Sequence, residues 1–388
     1  MVLFSCTEPY LLQTSNFEEA IVIEATITNE LKKQEIKVSK TYRLEENGPK
    51  FVENATVSVE DDLGNVYNFI EGNEVYESEN EFQAIPGRKY KLTIVTNGKT
   101  YTSTQETLTA ISPINNVEVS DQTIANVRGA EIKVTSFDPT NSSKYYRYEF
   151  EETYKIIAPK WIPYTVTVNP NTYELIYTPR TYEARTCYST KKSNEILLHS
   201  TTNLSEDRVD YTVRFIPVTN PIITHRYSIL VKQYVQNLEA YTYYNTLKTI
   251  SGNDGILSQN QPGFFSGNIT CISNPNEKVV GFFDVSSVSS QRIFFNFEDI
   301  FPNTPQPEYF IDCYDTCLEE NPLNCPGAQN YCFNPSLPCD GFLVMATLNS
   351  SNPIEIFYDY QDPVLFLIPP PCGDCTSFSS NVVPPFWY

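Results

Sequence analysis

A chain of 388 residues with 27 Lys and Arg against 47 Asp and Glu carries a formal charge of −20, a surface that repels phosphate backbones and excludes nucleic acid as a partner. The length allows two or three domains, each burying its own core. No stretch approaches the roughly 18 consecutive apolar residues of a membrane-spanning helix, so membrane attachment has to be covalent or through a partner.

The chain opens "MVLFSCTEPYLL", with Cys6 behind a short apolar run that ends in serine. A small residue ahead of a cysteine is the end of a lipoprotein signal, and "TEPYLLQTSNFEE" behind it is polar and acidic, as a tether from a lipid anchor would be. Residues 1–19 read as a signal remnant and tether. An ordinary terminal thiol at Cys6 is the other reading, and these residues alone leave both open.

Residues 20–108 read as all β. "AIVIEATIT", "EIKVSKTYRL", "ATVSVED", "VYNF", "EFQAI" and "KYKLTIVTNGKTYTS" alternate β-branched or aromatic residues with polar ones. Asn97-Gly98 supplies the two positive φ values of a type I′ hairpin, and "DDLGN" at 61–65 turns the chain in the same way. Asp61, Asp62 and Asn65 could be nominated as a calcium loop, but a turn accounts for the same residues without a metal. Short strands at this spacing predict an immunoglobulin-like β-sandwich.

"TLTAISPINNVEV" reads as the link to a larger β-rich domain over residues 109–301. In its "KYYRYEF", Tyr146, Tyr148 and Phe150 alternate with Arg147 and Glu149, the pattern of a half-buried strand. After Asn237, a good N-cap, Ala240, Tyr243, Leu247 and Ile250 recur at helical spacing, so one inserted helix is predicted near 238–251. Trp161 and Tyr164 are candidates for an exposed aromatic binding surface, and so is Trp387 in the terminal "PPFWY". Each of the three can equally serve as packing.

Residues 302–388 form a cysteine-rich C-terminal segment packed on the second domain. Beyond Cys6 the cysteines are Cys187, Cys271, Cys313, Cys317, Cys325, Cys332, Cys339, Cys372 and Cys375. A segment so rich in Pro and Asn is poor in periodic apolar residues, and crosslinks are its natural stabiliser, which predicts disulfides and an oxidising compartment. Zinc is the competing use of such pairs. The only histidines, His199 and His225, lie far upstream, so neither a metal nor a cofactor is expected.

Catalytic signatures are missing: there is no GxSxG, HExxH, GxxxxGKS or GxGxxG. His199 and His225 sit on strand-like stretches and read as structural. A glycosidase needs only two carboxylates, so a polysaccharide hydrolase stays open as a remote alternative.

The ordered blocks "AIVIEATITNE", "ATVSVEDDLGNVY", "AIPGRKYKLTIVTNGKTYTS", "RTCYSTKKSNEILLHSTTNLS", "RYSILVKQYVQNLEAYTYYNTLKT", "QPGFFSGNITCISNPNEKVVGFFDVSSVSSQRIFF" and "CGDCT" resemble a family of Bacteroidota envelope lipoproteins classified as a domain of unknown function. The resemblance implies export by a lipoprotein signal, an immunoglobulin-like domain followed by a β-rich one, and a gene neighbourhood shared with TonB-dependent receptors. Cys6 matches the lipid-bearing position, although the front of the signal is missing. The resulting expectation is a mainly β, non-enzymatic protein, lipid-anchored in the outer membrane and facing outward. Its partner would be a TonB-dependent β-barrel receptor, and a surface glycan is the alternative ligand.

Overall fold

The structure is a computed structural model that describes residues 19–42, 46, 48–169, 171–172, 175–251, 267–313, 316–317, 355–359 and 364–388. As expected, it is mainly β. The N-terminal strands are β1 (Ile21–Thr28), β2 (Glu35–Lys40), β3 (Lys50–Phe51), β4 (Thr56–Asp61), β5 (Val66–Glu71), β6 (Tyr76–Ser78), β7 (Lys89–Thr96), β8 (Lys99–Ser103) and β9 (Glu106–Thr107). Alternation builds them: in β1, Ile21, Ile23, Ala25 and Ile27 are buried while Glu24 is exposed. At the β7–β8 hairpin Asn97 has φ 49° and Gly98 φ 72°, and Thr96 pairs with Lys99, the two-residue turn the sequence predicts.

The turn at 61–65 is held by one carboxylate. Asp61 accepts from the backbone N–H groups of Leu63 and Asn65, from the Asn65 side chain at 2.8 Å and from Arg88 at 2.8 Å. Burial would raise its pKa, but those hydrogen bonds outweigh burial and hold it well below the usual carboxylate range.

The second region runs through β10 (Ile114–Ile124), β11 (Val127–Asp138), β12 (Tyr145–Ile157), β13 (Tyr164–Val168), β14 (Leu175–Pro179), β15 (Thr186–Lys192), β16 (Leu197–Ser200), β17 (Asp207–Pro217) and β18 (Tyr227–Gln236). Helix α1 (Leu238–Ser251) follows, then β19 (Ile269–Cys271), β20 (Val279–Phe295) and α2 (Phe297–Ile300). Strands in the order β15-β12-β18-β20 form one layer and β10-β11-β17 the other. Tyr146, Tyr148, Val134, Val213 and Ile229 share the core between the layers, and Tyr148 stacks on Tyr211 at 5.1 Å.

Helix α1 occupies the predicted span. The Asn237 side chain accepts from Ala240 N–H at 2.7 Å, which satisfies one of the free N–H groups of the first turn. Ala240 and Tyr243 are buried, and Leu247 packs beside them with Phe282.

The structure departs from the sequence reading at the domain boundary. The first core does not close at residue 108: it also contains Ile269, Cys271, Val279, Phe283 and Val285. Strand β19 pairs with β8, and the first half of β20 runs parallel to β1 from Ile21↔Val279 to Thr28↔Ser286. The second half of β20 pairs antiparallel with β18. One strand therefore serves both domains, a long-range pairing that local patterning does not show. Gly281 permits it. A Cβ there would lie 2.2 Å from the Ile23 carbonyl oxygen, and the residue has φ +152°.

The remaining elements are β21 (Thr316–Cys317), β22 (Glu355–Asp359), β23 (Val364–Ile368) and the four-residue helix α3 (Pro370–Gly373). Among the described residues, two short helices, α2 and α3, thus add to the single helix expected. Disulfide Cys187–Cys375 fastens the C-terminal segment to the second domain, and Cys313–Cys372 crosslinks the segment internally. Cys271 departs from the expected crosslinking: it is a buried free thiol on β19, facing the first core. Cys6, Cys325, Cys332 and Cys339, the side chain of Cys317, and the tether over residues 1–18 lie outside the described residues.

Candidate functional site

The alternation of "KYYRYEF" places its residues on two faces of β12. Tyr146 and Tyr148 face the β10-β11-β17 layer. Their hydroxyls donate to Asp207 at 2.9 Å and to Gln233 at 2.9 Å. Arg147 and Glu149 face the other way, toward α1 and the first domain. A cleft of about 760 Å³ opens there, walled by β1, β2, β12, β18, α1 and β20.

Arg147 sits in its wall and is 8% exposed. Its guanidinium lies over two rings, 4.3 Å from the centroid of Tyr234 and 4.8 Å from that of Tyr244. Nη1 donates to the carboxylate of Glu149, which also accepts from the Tyr234 hydroxyl at 3.0 Å. Arg147 Nε is buried without a partner among the described residues. Burial opposes the charge of Arg147, yet Tyr244, Glu149, Tyr234 and Asp284 outweigh it and raise its pKa. Burial likewise pushes Glu149 up, and Arg147, Tyr234 and Lys232 overcome that and bring it below its ordinary value. Glu149 is therefore ionised and hydrogen-bonded, the wrong state for a general acid.

Beneath this pair lies Asp284 on β20, 1% exposed. It accepts from Ser286 Oγ at 2.7 Å and from Gln236 Nε2 at 3.3 Å. Burial raises its pKa, against the opposing pull of Ser286, Arg147 and Gln236. Asp284 Oδ1 and Gln236 Oε1 are buried without partners among the described residues. Asp284 is thus a buried polar group close to Arg147, while Phe282, Tyr243, Leu247 and Val280 supply an apolar side of the cleft.

The residues singled out from sequence are not in this cleft. Trp161 packs against the second core with Arg185 over its ring at 5.8 Å, and its Nε1 is buried. Trp387 meets Tyr188 at 5.1 Å and Phe294 at 5.8 Å edge-on. Both rings are half-buried and make packing contacts within the fold. Tyr164 starts the β13–β14 ribbon and is half-buried. His199 is tilted on Tyr211 at 5.1 Å, and His225 lines a second cavity of about 450 Å³ with Trp387 and Tyr388. Burial lowers the pKa of both histidines. Among the described residues no group of three or more His, Cys, Asp or Glu could hold a metal, and no helix is long and apolar enough to cross a membrane.

Sequence reasoning missed Arg147 as a site residue because alternation assigned it to solvent. The signal was present: a lone cation amid aromatics, followed by the aromatic helix "AYTYYNTL", is the composition of a covered guanidinium.

Residues 7–292 match the model of the family described as Domain of unknown function (DUF4249), and the chain belongs to that family. No curated protein and no solved structure matches it.

Proposed function

We propose that this member of the family is a non-enzymatic lipoprotein of the outer membrane in Bacteroidota, anchored through Cys6 and facing outward. In this reading it is an accessory binding subunit of a TonB-dependent β-barrel receptor and offers a ligand the cleft between its β domains. The observation that carries the reading is the pair of disulfides, Cys187–Cys375 tying the C-terminal segment to the second domain and Cys313–Cys372 crosslinking the segment internally. Crosslinks of this kind persist in an oxidising compartment and not in a reducing cytosol. The resemblance supplies the lipid anchor and the barrel partner. The cleft supports binding over turnover, since its central carboxylate, Glu149, is committed to Arg147 and Tyr234.

The glycan reading loses ground with Trp161 and Trp387, whose rings are engaged within the fold. The test is a mild-detergent pull-down of the native protein from its own membranes, with mass spectrometry of the N-terminal peptide and of the bound proteins. A lipid-modified Cys6 together with a stoichiometric barrel is the expected outcome. An unmodified Cys6, or unchanged membrane association of Cys6→Ala, would sink the anchor, and the lack of a barrel would sink the accessory role.

A further inference from the structure

The chain as a whole carries a charge of −20, yet the wall of the cleft reverses that balance. Five cationic side chains, Lys32, Lys37, Arg147, Lys192 and Lys232, line it against three carboxylates, Glu24, Glu35 and Glu149. Lys37, Lys192 and Lys232 come from three different strands, β2, β15 and β18. Each stands across a ladder from a glutamate: Glu24, Glu151 and Glu149 respectively. Glu151 is bound at 2.9 Å by Arg292 and Glu149 by Arg147, so the carboxylates opposite Lys192 and Lys232 already hold a closer cation. None of the three lysines makes an ion pair among the described residues.

Arg147 is the inner member of this set. Its guanidinium lies over the rings of both Tyr234 and Tyr244, and Nη1 is taken by Glu149. The Nε edge has no acceptor among the described residues, and a buried donor of a charged group left unpaired is costly. Arg147 sits recessed in the cleft wall, and a guanidinium is the side chain whose N–H donors match a planar carboxylate. A volume of about 760 Å³ lies in the range of small-molecule sites, which combine apolar walls with a few convergent polar groups.

We propose that the cleft binds a small organic anion, with its carboxylate on the wall formed by Arg147, Lys192 and Lys232 and its apolar body against Phe282, Tyr243 and Leu247. The proposal deepens the binding role given above and rests on the cleft being its ligand site, but not on the lipid anchor or the barrel. Acyl amino acids and short peptides with a free C-terminal carboxylate have this chemistry, and Glu24 and Glu35, which also line the cleft, can accept from an amide or amine of such a ligand.

The test is calorimetric titration of the purified full chain at low salt with three leucine-derived probes: N-acetyl-leucine, which is anionic, its near-isostere N-acetyl-leucinamide, which is neutral, and leucinamide, which is cationic. The anion should bind and the other two should not, and added salt should weaken the binding. Lys192→Met with Lys232→Met changes exposed or half-buried side chains and should leave the melting temperature in place while weakening the anion by about tenfold. Arg147→Lys keeps the charge and removes the fork, and should weaken it as well. The proposal is overturned by no heat from the anion at about 1 mM, by equal or stronger binding of either other probe, or by unchanged affinity in the double lysine variant. Failure here with a barrel still recovered in the pull-down leaves the accessory reading standing, and loss of the barrel with anion binding intact does the reverse.

Discussion

Removing the Cys187–Cys375 crosslink by changing both residues to alanine should cost more stability than any other substitution pair in the C-terminal segment. The cysteines are 188 residues apart, and closing a loop of that size removes about 5 kcal/mol of denatured-state entropy in the chain model, within a usual range of about 2–5 kcal/mol for native bridges. Both residues are fully buried. The bridge also registers the segment. Cys375 N–H donates to Ala184 O at 2.9 Å, Lys160 N–H to Cys372 O at 2.8 Å, and Tyr188 N–H to Ser380 O at 2.7 Å. Asp374 beside it accepts from the Tyr182 hydroxyl at 2.8 Å and from Arg180 at 3.3 Å.

The chain has two tryptophans, and both report on this segment: Trp387 lies on Tyr188, and Trp161 follows Lys160. Urea titration followed by tryptophan emission should therefore show a lower midpoint for the double alanine variant, and a similar loss for the wild type under reductant. Alanine at both positions avoids leaving a single buried thiol. A midpoint equal to that of the oxidised wild type would refute the view that this bridge, and not apolar burial, fastens the segment.

Gly281→Ala should destabilise by about 2–4 kcal/mol in thermal unfolding, because the new Cβ would meet the Ile23 carbonyl oxygen at 2.2 Å; a melt indistinguishable from wild type would mean that β20 and β1 do not approach in this way. Asn237→Ala should cost about 1 kcal/mol through the lost cap on α1, and a little more because Asn237 Nδ2 also donates to Glu106 at 3.0 Å; helical circular dichroism with a denaturant series would read it. Acid should unfold the protein through Asp61 and Asp138, whose folded pKa values lie below the ordinary carboxylate value. The stability they contribute is complete above the unfolded pKa of about 4 and is lost as pH falls from there through the folded values. Asp61→Asn should lower the melting temperature at neutral pH and flatten its fall in acid, and a parallel, equally steep acid limb would exclude Asp61 as a major contributor.

What was legible in the sequence follows the range of each interaction. The Asn97-Gly98 hairpin and the Asn237 cap of α1 are set by neighbours within four residues, and both stand where the pattern puts them. The pairing of Cys187 with Cys375 spans 188 residues and no spacing rule could choose it among the alternatives. The boundary at residue 108 failed for the same reason, since the strands that complete the first core return more than 150 residues later. Arg147 was misread by a good rule: alternation assigns a charge in an aromatic strand to solvent, and the rule breaks where a second element covers the polar face. Here α1 and β1 supply that cover, and Tyr234 and Tyr244 make it tolerable.

Strand β20 decides how the cleft can work. It keeps eight paired positions with β1 and then nine with β18, without a loop between them. A hinge between the domains would have to break ladder hydrogen bonds near Ser286, where Asp284, Ser287 and Thr109 add further bonds: Ser286 Oγ to Asp284 at 2.7 Å, and Ser287 N–H to Thr109 Oγ1 at 2.9 Å. Rigid sharing of a strand makes closure by domain rotation expensive, so the cleft should be preformed and a ligand should bind without a change in overall dimensions. Small-angle scattering with and without N-acetyl-leucine should then give superimposable profiles. A measurable contraction on binding would place a hinge within β20 and would require the ladder to open there.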